Sequence, residues 1–160
     1  MDEFRTMRRF KQQLNPEECI EILKTEPRGI LSMQGEQDYP YAIPLDQFYD
    51  EDDGKLYFHC AKQGLKLDLI AKNPKVCFAI MDKGFVKEGD WALNIRSVLC
   101  FGRIEILEDH DKILEQCRKL ARKFYPTEES IEHEIAAAGS RVNMLVMTID
   151  RMTGKLVNES

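Results

Sequence analysis

A strand, a basic turn and a helix follow one another between residues 57 and 72, and this order of elements builds an anion site. Exposed amide N–H groups and the positive end of a helix would face one point there. Lys62 and Lys66 lie close enough in sequence to add charge, which favours phosphate as the ligand. Gly64 is the only glycine in the turn, so the segment lacks the spacing of the nucleotide-binding loops that carry several glycines.

His59 stands on the strand just before this turn. An imidazole titrates near neutral pH, so the ring could exchange a proton with whatever the phosphate anchors. The alternative is a neutral histidine satisfied within a strand, and for Lys62 and Lys66 the alternative is solvated surface charge.

Composition limits the function classes. The chain has 160 residues, of which 43% are hydrophobic and 32% charged, which fits one globular domain spanning residues 1–160. A formal charge of −5 argues against general binding of nucleic acid. The absence of a long apolar run predicts no membrane span or signal peptide, and hence a cytoplasmic protein.

The cysteines and histidines predict neither disulfides nor a metal site. The five cysteines are odd in number and lack C-x-x-C spacing, so reduced thiols are expected. Four of them fall in apolar patterns and predict small core side chains: Cys19, Cys77, Cys100 and Cys117. The three histidines are scattered without metal-ligand spacing.

Periodicity predicts about six strands and three or four helices. Strands are expected over residues 29–33, 39–48, 55–60, 76–81, 91–107 and 142–149, with 76–81 buried and a bend at Gly102. Helices are expected from Asn15-Pro16, over 64–72, over 111–124 and from Thr127 to Gly139. Short turns between most strands indicate an antiparallel, mainly β α+β barrel with peripheral helices. Residues 1–10 form an arm that is either loose or laid over a partner.

Several segments, taken in order, resemble one family over nearly the whole chain from Met7. They are residues 7–10 (MRRF), 39–45 (YPYAIPL), 57–70 (YFHCAKQGLKLDLI), 73–78 (NPKVCF), 96–103 (RSVLCFGR) and 153–155 (TGK). Together they resemble the nitroimidazole-resistance branch of the pyridoxamine 5′-phosphate oxidase-like split-barrel flavoproteins.

The resemblance implies a six-stranded split barrel that forms a homodimer, with FMN in clefts at the subunit interface. By this resemblance Lys62, Gly64 and Lys66 hold the flavin phosphate, and His59 with its neighbour Cys60 stands beside the ring. The remaining cofactor-binding residues that it implies are the wall Ala42, Ile43, Pro44 and Leu45, the partner contacts Arg96 and Ser97, and the cover Trp91.

The sequence also departs from the oxidases that name the family. Those enzymes carry an arginine at the position of Ile43 and tend to have Ser-Arg-Lys at Gly64 to Lys66, and their arginine-rich C-terminal segment has no counterpart here. We therefore expect no oxidation of vitamin B6.

The resemblance implies an FMN-dependent oxidoreductase that reduces nitroaromatics or other small acceptors, with His59 as the candidate proton donor. No nicotinamide-binding fingerprint is present, so NADH or NADPH would enter the cleft transiently. The alternative is a flavin or haem carrier of the same fold without turnover.

Overall fold

The computed structural model describes residues 3–125, 127–138 and 141–158, which form one sheet with four α-helices around it. The helices are α1 (Pro16–Thr25), α2 (Leu65–Lys72), α3 (His110–Arg122) and α4 (Glu128–Ala138). The strands are β1 (Arg28–Gln34), β2 (Pro40–Asp46), β3 (Phe48–Asp50), β4 (Lys55–Ala61), β5 (Lys75–Met81), β6 (Phe85–Val86), β7 (Leu93–Leu107) and β8 (Val142–Asn158). Two 3₁₀ turns are also present, at Phe10–Gln12 and Glu36–Asp38.

The strands form a curled antiparallel sheet. They pair in the order β2-β1-β5-β7-β8-β4-β3, and the short β6 pairs with β7 beside this path. The two ends of the path, β2 and β3, are separated in sequence by Gln47 alone, so the sheet must curl to bring them round. The predicted mainly β α+β class with antiparallel strands is confirmed, and the curled sheet is consistent with the predicted split barrel.

The prediction of six strands was wrong. The described residues contain seven strands on the continuous path and β6 as an eighth. Residues 39–48, predicted as one strand, divide into β2 and β3 at Gln47, whose side chain is fully buried. Its Nε2 donates to the carbonyl oxygens of Leu23 at 3.0 Å and Glu26 at 2.9 Å, and so provides hydrogen bonds to carbonyl groups at the C-terminal end of α1. A residue that turns inward to satisfy a helix end interrupts the strand ladder at that position.

Two layers of packing position the site. The inner face of the sheet, with α1 and α2, encloses the main core, to which β4 contributes Leu56, Phe58 and Cys60. Side chains alternate along a strand, so Tyr57 lies on the opposite face of β4, where it packs in a second cluster with Ile113 of α3. β5 was predicted to be buried throughout, but it alternates between buried and accessible positions because only one of its faces meets the core.

Polar contacts attach α3 to the sheet. Asp50 of β3 is buried, and its Oδ2 accepts hydrogen bonds from Gln116 Nε2 and Lys119 Nζ, both at 3.0 Å. Just beyond the helix, Lys123 Nζ donates to the carbonyl oxygen of Gln47 at 3.0 Å. These contacts hold α3 against the face of β4 that carries Tyr57.

The two longest strands, β7 and β8, pair along their lengths with one shift of register at Phe101/Gly102. The bend predicted at Gly102 is therefore confirmed. A Cβ atom on Gly102 would lie 2.0 Å from the carbonyl oxygen of Thr148, so no larger residue fits without moving the backbone of β8.

We predict that Gly102→Ala destabilises the protein by about 2 to 3 kcal/mol, because the added methyl group forces β7 and β8 apart at the bulge. Urea unfolding followed by circular dichroism measures this loss. Glu105→Ala, at an exposed position of the same strand, is the control and should cost less than about 0.5 kcal/mol. Equal stability of the two variants would contradict the tight approach at Gly102.

Candidate functional site

The basic turn lies where β4 ends and α2 begins. Lys62 and Gly64 are exposed, and Lys66, in the first turn of α2, is half-buried. Burial raises the pKa of the Cys60 thiol, and the positive charge of Lys66 partly offsets that rise. The turn therefore places one exposed and one partly sheltered ammonium group at the start of a helix.

Gly64 gives this turn its shape. Its φ of 148° and ψ of 165° lie in a region that side chains disfavour, and no side chain caps the N-terminus of α2 at this residue. A Cβ atom at Gly64 would meet nothing within 4 Å. The helix start is therefore open to solvent and has space for an anionic group.

His59 lies on the outer face of β4, two residues beyond Tyr57. Its side chain is exposed and lines a cavity of about 370 Å³ between β4, the start of β8 and the pair of helices α3 and α4. The walls are mainly apolar and are lined by Cys117, Leu120, Ala121, Phe124, Tyr125, Ile135 and Val142. The two carboxylates in the lining belong to Asp46 and Glu134. Asp46 accepts a hydrogen bond from Arg28 Nε at 2.8 Å, so its charge is already paired.

The thiols near His59 are poor nucleophiles. Burial raises the pKa of Cys60, an effect that Lys66 partly offsets, and burial likewise raises the pKa of Cys117. Both groups are therefore protonated at neutral pH, and a protonated thiol is neither a good nucleophile nor a good metal ligand. His59 supplies the imidazole of this cavity, and its role as a proton donor stays a prediction.

The predicted wall on β2 divides into two faces. Ala42 and Pro44 point outward and are exposed, whereas Ile43 and Leu45 are half-buried and pack against the main core. β2 pairs with β1 alone, so its other edge has no partner strand among the described residues. A ligand at this free edge would therefore meet the backbone of β2, and a ligand on the outer face would meet the side chains of Ala42 and Pro44 alone among the four. Asp46, at the end of β2, links this wall to the His59 cavity.

Within one chain, the remaining predicted residues do not join this site. Trp91 is 78% exposed just before β7, and its backbone N–H donates to Asp90 Oδ1 at 2.7 Å. Arg96 is engaged by Asp82, with Nε 2.9 Å from Oδ2. Ser97 lines a different cavity, beneath the N-terminal arm. Their predicted role as contacts to the partner's cofactor stays a prediction.

Sequence reasoning did not identify the α3 and α4 residues around His59, nor Arg151, which lines the same cavity as Ser97. Phe124 and Tyr125 follow α3 and remain 40% and 43% exposed. An aromatic pair just past a helix end was therefore the available sequence signal for this cavity wall. Arg151 had no such signal, because it lies in the part of β8 that was not predicted as strand. The strand was expected to stop at residue 149 and continues to Asn158.

The family model for pyridoxamine 5′-phosphate oxidase matches residues 15–156, so the chain belongs to this family and the predicted resemblance is confirmed. No curated protein matches the chain in sequence.

Solved structures share the fold at low sequence identity. A Bacteroides thetaiotaomicron protein provisionally described as a 5-nitroimidazole antibiotic resistance protein has a TM-score of 0.75 at 19% identity, covering 91% of this chain and 87% of its own. A FAD-binding protein from Mesorhizobium loti has a TM-score of 0.62 at 22% identity, covering 91% and 96%. A FAD and heme binding protein from Mycobacterium smegmatis has a TM-score of 0.70 at 18% identity, covering 93% and 74%.

Two further findings concern membranes and metals. No helix within residues 3–125, 127–138 and 141–158 is long and apolar enough to cross a membrane. In that same part of the chain, no three histidine, cysteine, aspartate or glutamate side chains come together as a metal site.

The position of α3, which forms one wall of the His59 cavity, depends partly on Lys123. Burial lowers the pKa of Lys123 to about 8, whereas the same group titrates near 10.4 in an unfolded chain. Between those values the unfolded chain binds more protons, so this residue's contribution to the free energy of unfolding rises with pH across the window.

We therefore predict that wild type gains about 1 to 2 kcal/mol relative to Lys123→Met between pH 7 and pH 10, after allowance for solvent screening of a half-buried group. Urea unfolding of both proteins across this range measures the difference. Lys112→Met, at an exposed position of α3, should follow wild type at every pH. A constant difference for Lys123→Met would show that Lys123 is solvated.

Proposed function

We propose that the protein is an FMN-dependent oxidoreductase that passes electrons from a reduced donor such as NADH or NADPH to a small acceptor, with nitroaromatics and quinones as the candidate class. The observation that carries this proposal is the basic, glycine-opened start of α2 at the end of the strand that bears His59. An anion site and a titratable ring thus share one short segment beside an apolar cavity.

The turn suits the phosphate of FMN. Lys62 and Lys66 supply positive charge, and the N-terminus of α2 at Gly64, which no side chain caps, supplies backbone N–H groups. Lys66 is the stronger anchor of the two. Because Lys66 is half-buried, solvent screens its attraction to a bound anion less than it screens that of the exposed Lys62.

The flavin ring would extend from this turn toward the outer face of β2 and the His59 cavity. FMN supplies the redox chemistry when bound, and the protein supplies binding, orientation and electrostatics. Ala42 and Pro44 offer flat, uncharged side chains on that face, and Ile43 packs inward, so β2 presents no guanidinium there. The lack of that guanidinium supports a reaction other than the oxidation of pyridoxamine 5′-phosphate.

His59 would hold the proton that an acceptor takes up on reduction. It stands in a mainly apolar cavity, and burial raises the pKa of Cys117, the thiol in the cavity lining, so this thiol does not compete as an acid near neutral pH. Positioned proton transfer of this kind commonly contributes about 100-fold to 10,000-fold in rate.

A homodimer would complete the flavin cleft. On β1 and β5 the outer face of the sheet carries exposed apolar side chains, with Ile30 at 41% and Met81 at 63% exposure. A second copy of the chain could cover this face and bring Trp91, Arg96 and Ser97 to the flavin from the partner side. Size-exclusion chromatography with light scattering tests the dimer.

A non-catalytic carrier of flavin or haem is the second candidate. It is supported by structural neighbours described as binding FAD, or FAD and heme. Against haem, His59 is the one histidine in its cavity, and the adjacent thiols are protonated. Absorbance of the purified protein separates the candidates: flavin bands that bleach under NADH or NADPH support the enzyme, stable flavin bands support the carrier, and a Soret band supports haem.

We predict that Lys66→Ala weakens FMN binding by about 1.5 to 3 kcal/mol, the value of a charge-assisted contact to phosphate. Fluorescence quenching of FMN on titration with protein gives the Kd. Lys72→Ala, an exposed position at the other end of α2, should bind FMN like wild type. An unchanged Kd for Lys66→Ala would remove Lys66 from the phosphate site.

We predict that His59→Ala leaves FMN binding within a few fold of wild type and lowers turnover about 100-fold or more, because a proton donor is lost while the phosphate site stays. Steady-state reduction of a nitroaromatic measures turnover. His133→Ala, at an exposed position of α4, is the control. Equal losses of binding and turnover would reduce His59 to a wall residue.

A further inference from the structure

A second cavity lies between the N-terminal arm and the outer face of β7 and β8. We call this cavity the arm groove. Its volume is about 700 Å³, larger than the 370 Å³ cavity beside His59 and within the range of small-molecule sites. Five cationic residues line it: Arg5, Arg8, Arg9, Arg151 and Lys155.

The charge of the arm groove is one-sided. Its lining contains no carboxylate, and none of the five cations forms an ion pair with a carboxylate in the described part of the chain. The whole chain carries a formal charge of −5, so this concentration of positive charge is local. Unpaired cations in one concave site repel each other, and a multiply charged anion would relieve that repulsion.

Specific contacts hold the arm over the sheet. Arg151 Nη2 donates to the carbonyl oxygen of Arg5 at 2.7 Å, and its guanidinium lies 5.3 Å from the ring of Phe4. The Phe4 ring in turn lies 5.4 Å from that of Phe101 on β7. Beyond the arm, the N–H of Leu14 donates to the carbonyl oxygen of Gly154 at 2.9 Å. The groove is therefore a built feature of the fold.

The floor of the arm groove is apolar. Phe4, Leu99, Phe101 and Val157 contribute to its lining, and Leu99 remains 39% exposed. Aromatic and aliphatic surfaces of this kind accept the flat face of a heterocycle. Guanidinium groups beside them match phosphate oxygens with paired N–H donors.

We propose that the arm groove binds the adenosine diphosphate part of a nucleotide, which NADH, NADPH and FAD share. The base would lie on the apolar floor, and the two phosphates would contact the arginines of the arm and of β8. A lone phosphate would leave the floor and most of the volume unused. The site itself rests on the groove alone, and its assignment to the electron donor rests on the proposed function.

The test is a calorimetric titration of the purified full-length protein with ADP. We expect saturable binding that weakens as ionic strength rises. The double variant Arg8→Gln/Arg9→Gln should raise the Kd for ADP about tenfold or more, because it removes two charge-assisted contacts. Both residues are exposed, and among the described residues their one side-chain hydrogen bond runs from Arg9 Nη1 to Gln12 Oε1 at 3.5 Å, so folding should persist.

Two variants serve as matched comparisons. Lys72→Gln/Lys112→Gln also removes two positive charges, but from exposed positions outside the groove. Its Kd for ADP should stay within about twofold of the wild-type value. Lys155→Gln, on the β8 side of the groove, should weaken ADP binding without touching the arm.

Competition distinguishes the sources of the ADP group. Displacement of ADP by NADH or NADPH but not by FAD supports the electron donor, and displacement by FAD supports the adenylate half of the flavin. Absence of saturable ADP binding, or pyrophosphate binding as tightly as ADP, overturns the nucleotide assignment. FMN binding is measured in parallel. If Arg8→Gln/Arg9→Gln loses FMN binding together with ADP binding, the groove belongs to the flavin site and a separate nucleotide site is refuted. Loss of ADP binding alone supports the separate site.

Discussion

The pairing of β7 with β8 is the constraint on which both candidate sites depend. Fourteen residue pairs join these strands, and the single register shift at Gly102 lets the two long strands bend with the sheet. The first part of β8 also pairs with β4, where Met144 lies opposite His59. The last part carries Arg151 and Lys155 into the arm groove. One continuous strand therefore fixes the position of the titratable ring and of the cationic groove.

Electrostatics in this protein are local. Asp46 is paired with Arg28 and Asp82 with Arg96, so several surface charges are already satisfied within the chain. At the basic turn of α2 and in the arm groove, by contrast, the described residues give Lys66 no ion pair and leave the five groove cations without one. An acidic chain that concentrates free positive charge at two open sites is suited to small anionic ligands, and poorly suited to a long polyanion.

Local chemistry made part of this fold predictable from sequence. Asn15 and Glu18 form a reciprocal capping box ahead of Pro16, so α1 starts where the sequence indicated. Apolar spacing located α3, and Gly102 marked the bulge. The strand–turn–helix segment around Gly64 was predicted because its signals lie within about ten residues of each other.

The parts that the sequence did not reveal depend on tertiary contacts. The strand breaks at Gln47 because its side-chain amide donates to carbonyl groups at the end of α1. One of these carbonyl groups belongs to Leu23, 24 residues earlier in the chain. The walls of the His59 cavity come from helices far along the chain, and the arm groove joins residues 146 positions apart, Arg5 and Arg151. Such contacts leave no local pattern of residue types.

We propose that the turn from Lys62 to Lys66 holds the phosphate of a flavin whose ring reaches toward His59. A crystal structure of the full chain grown with FMN tests this claim most directly. We expect phosphate density at the N-terminus of α2, within hydrogen-bond distance of Lys66, and ring density between the outer face of β2 and the His59 side chain. Phosphate density in the arm groove, with the start of α2 bound only to water, would contradict it.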